Sequence, residues 1–169
     1  MATPSVLFIC TGNVHRSPLA ERLLAARLPG AEVSSAGTRA CPGAPMDPAT
    51  RSVLEELGGD GTGFASQPLT RALVERADLV LGLAREHREA AVRLTPLALR
   101  RTFTLREFLR LHDGTGVAGA AVRRGTLPAV PASEDDVPDP WEQGHDALRA
   151  CAIGIDGYAR RLAGAFSPA

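Results

Sequence analysis

"VLFICTGNVHRSPLAERLL", residues 6–24, sets an apolar run against a polar loop and then against a helical pattern. Residues 5–10 read as a buried strand, because a short continuous apolar run ends at Thr11-Gly12-Asn13, a turn signal. From Pro18 to Leu28 the apolar residues Leu19, Leu23, Ala26 and Leu28 are separated by Glu21, Arg22 and Arg27, which predicts a helix. Ser17 before Pro18 marks its start, with a capping hydroxyl and proline at the first helical position.

Outward from this stretch the same signals recur. Residues 31–37 suit a second strand, and Asp47-Pro48 opens a helix that Gly58-Gly59 stops. Thr70 caps a short helix through Arg76. Residues 78–83 are a third strand, 85–94 a helix and 101–105 a fourth strand. Strand and helix alternate, which predicts an α/β fold: an open sheet of parallel strands with helices on both faces. Sites in such sheets lie at the carboxyl ends of strands, where Cys10 falls. Residues 109–138 are rich in Gly, Ala, Pro and Arg without periodicity and read as one long loop. A final helix is expected from Gln143 to Phe166, with Leu148, Cys151, Ile155, Tyr158 and Leu162 on one face.

The 169 residues suit a single domain over 1–169. Formal net charge is zero, so a broad basic face for nucleic acid is not indicated. Every basic residue apart from histidine is an arginine. No charged and apolar leader is visible, and no apolar run approaches the roughly 18 residues that span a bilayer. No membrane association is expected. Cys10, Cys41 and Cys151 are odd in number and widely spaced, which fits neither a disulfide framework nor a zinc site. A reducing cytoplasm is the resulting expectation.

Five residues separate Cys10 from Arg16, a loop length that wraps one tetrahedral anion. Backbone N–H groups of Thr11, Gly12, Asn13, Val14 and His15 would face the anion, and the following helix adds its positive end. Arg16 can grip two phosphoryl oxygens with its planar fork. A thiol in such a field ionises readily and becomes a nucleophile toward phosphorus. Ser17 can donate a hydrogen bond to that sulfur. Gly12 and Asn13 are the two residue types that most readily take positive φ. A leaving alkoxide or phenoxide needs a proton, and "DVPDPW" (136–141) supplies candidates. Asp139, held between two prolines, is favoured over the more solvated Asp135 and Asp136. Trp141 would form an apolar wall beside the pocket, suited to a flat aromatic substrate.

Taken together, "FICTGNVHRSPLAE", "SSAGT" at 34–38, "GAPMDPAT" at 43–50, "ADLVLGLAREH" at 77–87 and "DVPDPW" resemble the low-molecular-weight protein tyrosine phosphatase family. The resemblance implies four parallel strands in the order 2-1-3-4, a cysteinyl-phosphate intermediate, and no metal or other cofactor. It makes Cys10 the nucleophile, Arg16 the phosphate clamp, Asp139 the general acid and Ser17 the residue assisting the thiolate. Asn13, Ser35 and His87 match positions that brace the phosphate loop. Read by itself, His87 in "REHREAA" would be a surface residue.

The chain departs from the family at several places. His15 stands where most members carry a second cysteine, and a charged imidazole there would strengthen the positive field. Val14 is apolar where a threonine marks the protein-arginine phosphatase branch, which favours an aryl phosphate over phosphoarginine. Glu142 replaces a second aromatic residue. The expected activity is hydrolysis of phosphotyrosine in protein or of a small aryl phosphate, with inorganic phosphate and vanadate as competitive ligands. The alternatives are a phosphatase for phosphoarginine or a small phosphorylated metabolite, and a catalytically weak phosphate-binding or interaction protein.

Overall fold

The structure is a computed structural model and describes residues 4–167. Strand β1 (Val6–Cys10) is buried along its whole length and pairs in parallel on both sides. Its neighbours are β2 (Val33–Gly37) and β3 (Leu79–Gly82), and β4 (Thr102–Thr104) pairs with β3. The sheet order is β2-β1-β3-β4, with every pair parallel. Side chains alternate across β1 as strand geometry requires. Val6, Phe8 and Cys10 enter the larger apolar cluster, whereas Leu7 and Ile9 enter a smaller one with Val74, Val80, Ala91 and Ala98.

Helices α1 (Arg16–Arg27), α2 (Pro48–Glu56), α3 (Arg71–Arg76) and α4 (Arg85–Leu94) alternate with the strands. Leu19, Leu23 and Leu24 of α1 pack with Ile155, Ala159 and Leu162 in the larger cluster, while Val74 and Ala91 bring α3 and α4 to the smaller one. Thr70 caps α3 through the Leu73 amide, and Asp47 caps α2 through the Thr50 amide. The long final helix is α8 (His145–Phe166). Among the described residues no helix is long and apolar enough to cross a membrane.

Two expectations need correction. Helix α1 begins at Arg16, two residues before Pro18, and no side chain caps it. Ser17 lies within its first turn, with its hydroxyl beside Cys10 rather than on a helix amide. Residues 109–138 are also not one irregular loop. They complete α5 (Leu105–Leu111) and contain α6 (Gly116–Thr126) and α7 (Ala132–Asp135). Helix α6, "GVAGAAVRRGT", escapes a periodicity reading because it buries so little: Ala120 is its one fully buried side chain. Polar and aromatic contacts help to hold it. Arg124 lies 4.3 Å from the Phe103 ring centroid and donates to the carbonyls of Thr102 and Leu99.

Candidate active site

The carboxyl end of β1 runs directly into the loop 11–15, and β2 supports that loop from the side. Thr38 and Arg39 donate backbone hydrogen bonds to the carbonyls of Cys10 and Thr11. Gly37 is needed here, since a β-carbon on it would stand 2.6 Å from the Thr11 carbonyl oxygen. Sequence reasoning did not single out this glycine, although it lies in "SSAGT". Of the two residues expected at positive φ, only Asn13 takes it, at 56°. Gly12 does not, and a β-carbon there would meet Val14 only at 3.4 Å.

Asn13 turns inward and is fully buried. Its Oδ1 accepts from the Gln67 amide at 2.9 Å, which fixes the orientation of the side-chain amide. Its Nδ2 then donates to Ser17 Oγ at 2.8 Å and to Ser35 Oγ at 2.9 Å. Ser35 in turn donates a hydrogen bond to Glu21 Oε2, and burial pushes the Glu21 carboxyl above its ordinary value. Ser17 Oγ, already accepting from Asn13, lies 2.9 Å from Cys10 Sγ and 3.5 Å from the Ala36 carbonyl, and a thiolate at Cys10 would draw its hydroxyl hydrogen. The Asn13 amide also points at that sulfur, at 3.3 Å. An ionised sulfur would thus have two donors within reach, and the polar groups behind them are themselves satisfied. Ser66, whose hydroxyl donates to the Asn13 carbonyl, completes the support. Glu21, Ser66 and Gln67 escaped the sequence reading. Glu21 follows a helical polar spacing, and nothing in "SQP" marks a loop support.

His87 braces the other side. It is fully buried, not on the surface, and its Nδ1 accepts from the Ala84 amide at 3.0 Å. That contact fixes the neutral tautomer, so Nε2–H donates to Thr11 Oγ1 at 2.9 Å. Burial, aided by the Arg16 charge, holds the imidazole down to about 4. Protonation of His87 is thus favoured in the unfolded chain. Its stabilising effect is complete above about pH 6.5 and is lost as pH falls toward 4. Urea midpoints should decline through that window, and His87→Gln should flatten the decline. An unchanged slope in the variant would reject this assignment.

A cavity of about 260 Å³ opens over Cys10, lined also by Thr11, Gly12, Val14, His15, Arg16, Asp139 and Trp141. Arg16 is buried and reaches across the fold, with Nη1 on the Val137 carbonyl and Nη2 on Asp139 Oδ2, both at 3.0 Å. The second carboxylate oxygen of Asp139 accepts from the Trp141 amide at 3.1 Å. Of the three acidic candidates, only Asp139 enters this cavity. Asp136 accepts from the Arg85 amide, and Asp135 is buried between Arg85 and Arg110. Trp141 stands at the rim, 56 % exposed, with its ring centroid 5.8 Å from that of His15.

His15 does not supply the positive charge expected of it. Burial is the main influence and holds its imidazole below the ordinary value, so it is neutral at pH 7. Thr50 donates its hydroxyl hydrogen to Asp47, and His15 Nδ1 therefore donates to Thr50 Oγ1, at 2.6 Å. Cys41 is exposed, and Cys151 lies on α8 with Sγ 3.9 Å from the Pro138 carbonyl. Burial pushes the Cys151 thiol up to about 11, so it stays protonated at neutral pH. Among the described residues no cluster of His, Cys, Asp and Glu could hold a metal ion.

Residues 5–118 match the low molecular weight phosphotyrosine protein phosphatase family. The chain is similar to a probable low molecular weight protein-tyrosine-phosphatase, EpsP, of Ralstonia solanacearum, with 31% identity over 94% of this chain and 95% of the relative. It is also similar to a protein-arginine-phosphatase of Geobacillus stearothermophilus, with 39% identity over 64% of this chain and 74% of the relative. Among solved structures, Vibrio vulnificus Wzb in complex with benzylphosphonate aligns with a TM-score of 0.76 and 29% identity, covering 96% of this chain and 99% of that one.

Proposed function

The chain belongs to the low molecular weight phosphotyrosine protein phosphatase family and is an enzyme, and from that premise we propose how its residues hydrolyse an aryl phosphate. Cys10 Sγ attacks phosphorus, the P–O bond to the leaving group breaks, and Asp139 gives the departing oxygen its proton. Water then cleaves the cysteinyl phosphate, with Asp139 taking the proton back. One observation carries the reading: Cys10 Sγ lies within hydrogen-bond distance of the Ser17 hydroxyl and the Asn13 amide, in the same cavity that Arg16 and Asp139 line. Negative charge on sulfur is stabilised there, and Arg16 offers a bidentate fork to the phosphoryl oxygens. Those oxygens compete with Asp139 for the guanidinium, so substrate binding releases the carboxyl group to carry its proton. The whole chain is read as one catalytic domain.

Phosphotyrosine in protein is the substrate proposed. Trp141 offers a flat apolar face at the rim, Val14 adds an apolar side chain, and Vibrio vulnificus Wzb forms a complex with benzylphosphonate, whose phenyl ring is one methylene from phosphorus. Similarity to the protein-arginine-phosphatase supports phosphoarginine as the second reading. Competition among phosphotyrosine, phosphoarginine and phosphoserine peptides separates them, and preference for phosphoarginine would overturn the first.

Asp139→Ala tests the acid. Phenoxide is a basic leaving group and needs the proton, whereas p-nitrophenolate departs without it. The variant should lose about 10²–10³-fold on phenyl phosphate and clearly less on the nitrophenyl ester. Equal losses on the two esters would remove Asp139 from the acid role.

A further inference from the structure

A second cavity, of about 240 Å³, opens away from Cys10 between α4, α5, α6 and the segment 127–130. Four guanidiniums line it, those of Arg85, Arg88, Arg110 and Arg124, against two carboxylates, Glu107 and Asp135. Each carboxylate is shared. Asp135 takes Arg85 and Arg110 at 2.7 Å each, while Glu107 takes Arg88 at 3.0 Å and lies 3.9 Å from Arg124. Charges beside it come in opposite pairs: Arg106 with Asp136, and Arg93 with Glu89 next to Arg88 and Arg124. The cavity therefore carries a net surplus of two positive charges.

These cations are not simply solvated. The four arginine side chains are only 21–32% exposed. Withdrawing a cation from water is costly unless an anion or a set of acceptors replaces the solvent. Arg124 shows the strain in its ionisation. Burial lowers it, Glu107 opposes that shift, and neighbouring Arg88 adds to it. Donors also remain to spare. Arg88 uses a single N–H, on Glu107, and Arg110 a single N–H, on Asp135, among the described residues.

We propose that this cavity is a second anion site and takes a phosphoryl dianion. Two negative charges match the surplus, and planar guanidiniums grip tetrahedral oxyanions through paired N–H bonds. A monocarboxylate would leave one charge unmatched. Leu111, Leu127, Pro128 and Val130 form the apolar side of the cavity and can receive the organic part of a phosphate ester. The dianion has two sources, free inorganic phosphate and a phosphoryl group on a polypeptide, and both present the same chemistry to the arginines. The site is independent of the Cys10 assignment.

Equilibrium dialysis with radiolabelled inorganic phosphate tests it. Wild type should bind two equivalents, and one should persist after a single equivalent of vanadate, which the Cys10 thiolate captures first, fills the cavity over Cys10. Arg88→Gln should lose that persistent equivalent while its turnover, and the competitive inhibition of that turnover by phosphate, stay at wild-type values. Those two readings also certify that the variant is folded. A single equivalent in wild type, or a persistent equivalent in Arg88→Gln, would overturn the proposal. With vanadate present, a phosphoserine peptide that displaces the bound phosphate identifies polypeptide as the source, and failure to displace it identifies the free anion.

Discussion

Cys10→Ser should lower turnover by more than about a thousandfold while leaving vanadate and phosphate binding in place. The surroundings of the sulfur explain both halves. Ser17 Oγ at 2.9 Å and the Asn13 amide at 3.3 Å are placed to stabilise a negative sulfur. A serine hydroxyl is a far weaker acid than a thiol, so the same two donors find a neutral oxygen that attacks phosphorus poorly. Arg16 and the loop backbone, which the substitution does not touch, still hold the anion. Turnover is read with phenyl phosphate and binding with vanadate. Activity above about a thousandth of wild type would remove Cys10 from the nucleophile role.

Arg16→Lys should be nearly as damaging, with an expected loss of about 10²–10³-fold or more in kcat/KM, comparable to deleting a donor aimed at developing charge. A lysine keeps the charge and loses the fork. It also cannot span the Val137 carbonyl and the Asp139 carboxylate together, both of which Arg16 now holds at 3.0 Å. The variant therefore loosens the phosphate grip and the placement of Asp139 in one change. A diagnostic follows from that double role: Arg16→Lys should combine weaker vanadate binding with the leaving-group dependence expected of Asp139→Ala. Normal vanadate affinity together with normal turnover would contradict the assignment of both roles to this side chain.

The sheet was legible because β1 and β3 are continuous apolar runs with sharp ends, and the order β2-β1-β3-β4 followed from the family resemblance. Cys10, Arg16 and Asp139 could be picked out because their spacing and their neighbours, Gly-Asn, Ser-Pro and Pro-Asp-Pro, restrict the backbone. Residues that act across the fold were harder to see. Gly37 matters through a 2.6 Å approach to Thr11, and Glu21 through a chain of three hydrogen-bonding side chains, neither of which leaves a periodic trace. His87 looked like a surface residue because its neighbours are charged, yet the ring folds back onto the Ala84 amide. Helix α6 was lost in its own composition. Small residues blur an apolar stripe, and its Arg124 does part of the anchoring that a leucine would do elsewhere.

The clamp on the segment before Asp139 is built from arginine and aspartate. Arg85 and Arg110 hold the Asp135 carboxylate, and Arg106 holds the carbonyls of Ser133 and Asp136. No lysine occurs anywhere in the sequence. Guanidinium groups keep their proton at any pH a protein survives, whereas lysine ammonium groups begin to discharge near pH 10. Built from guanidiniums, the clamp offers alkali no cation to neutralise.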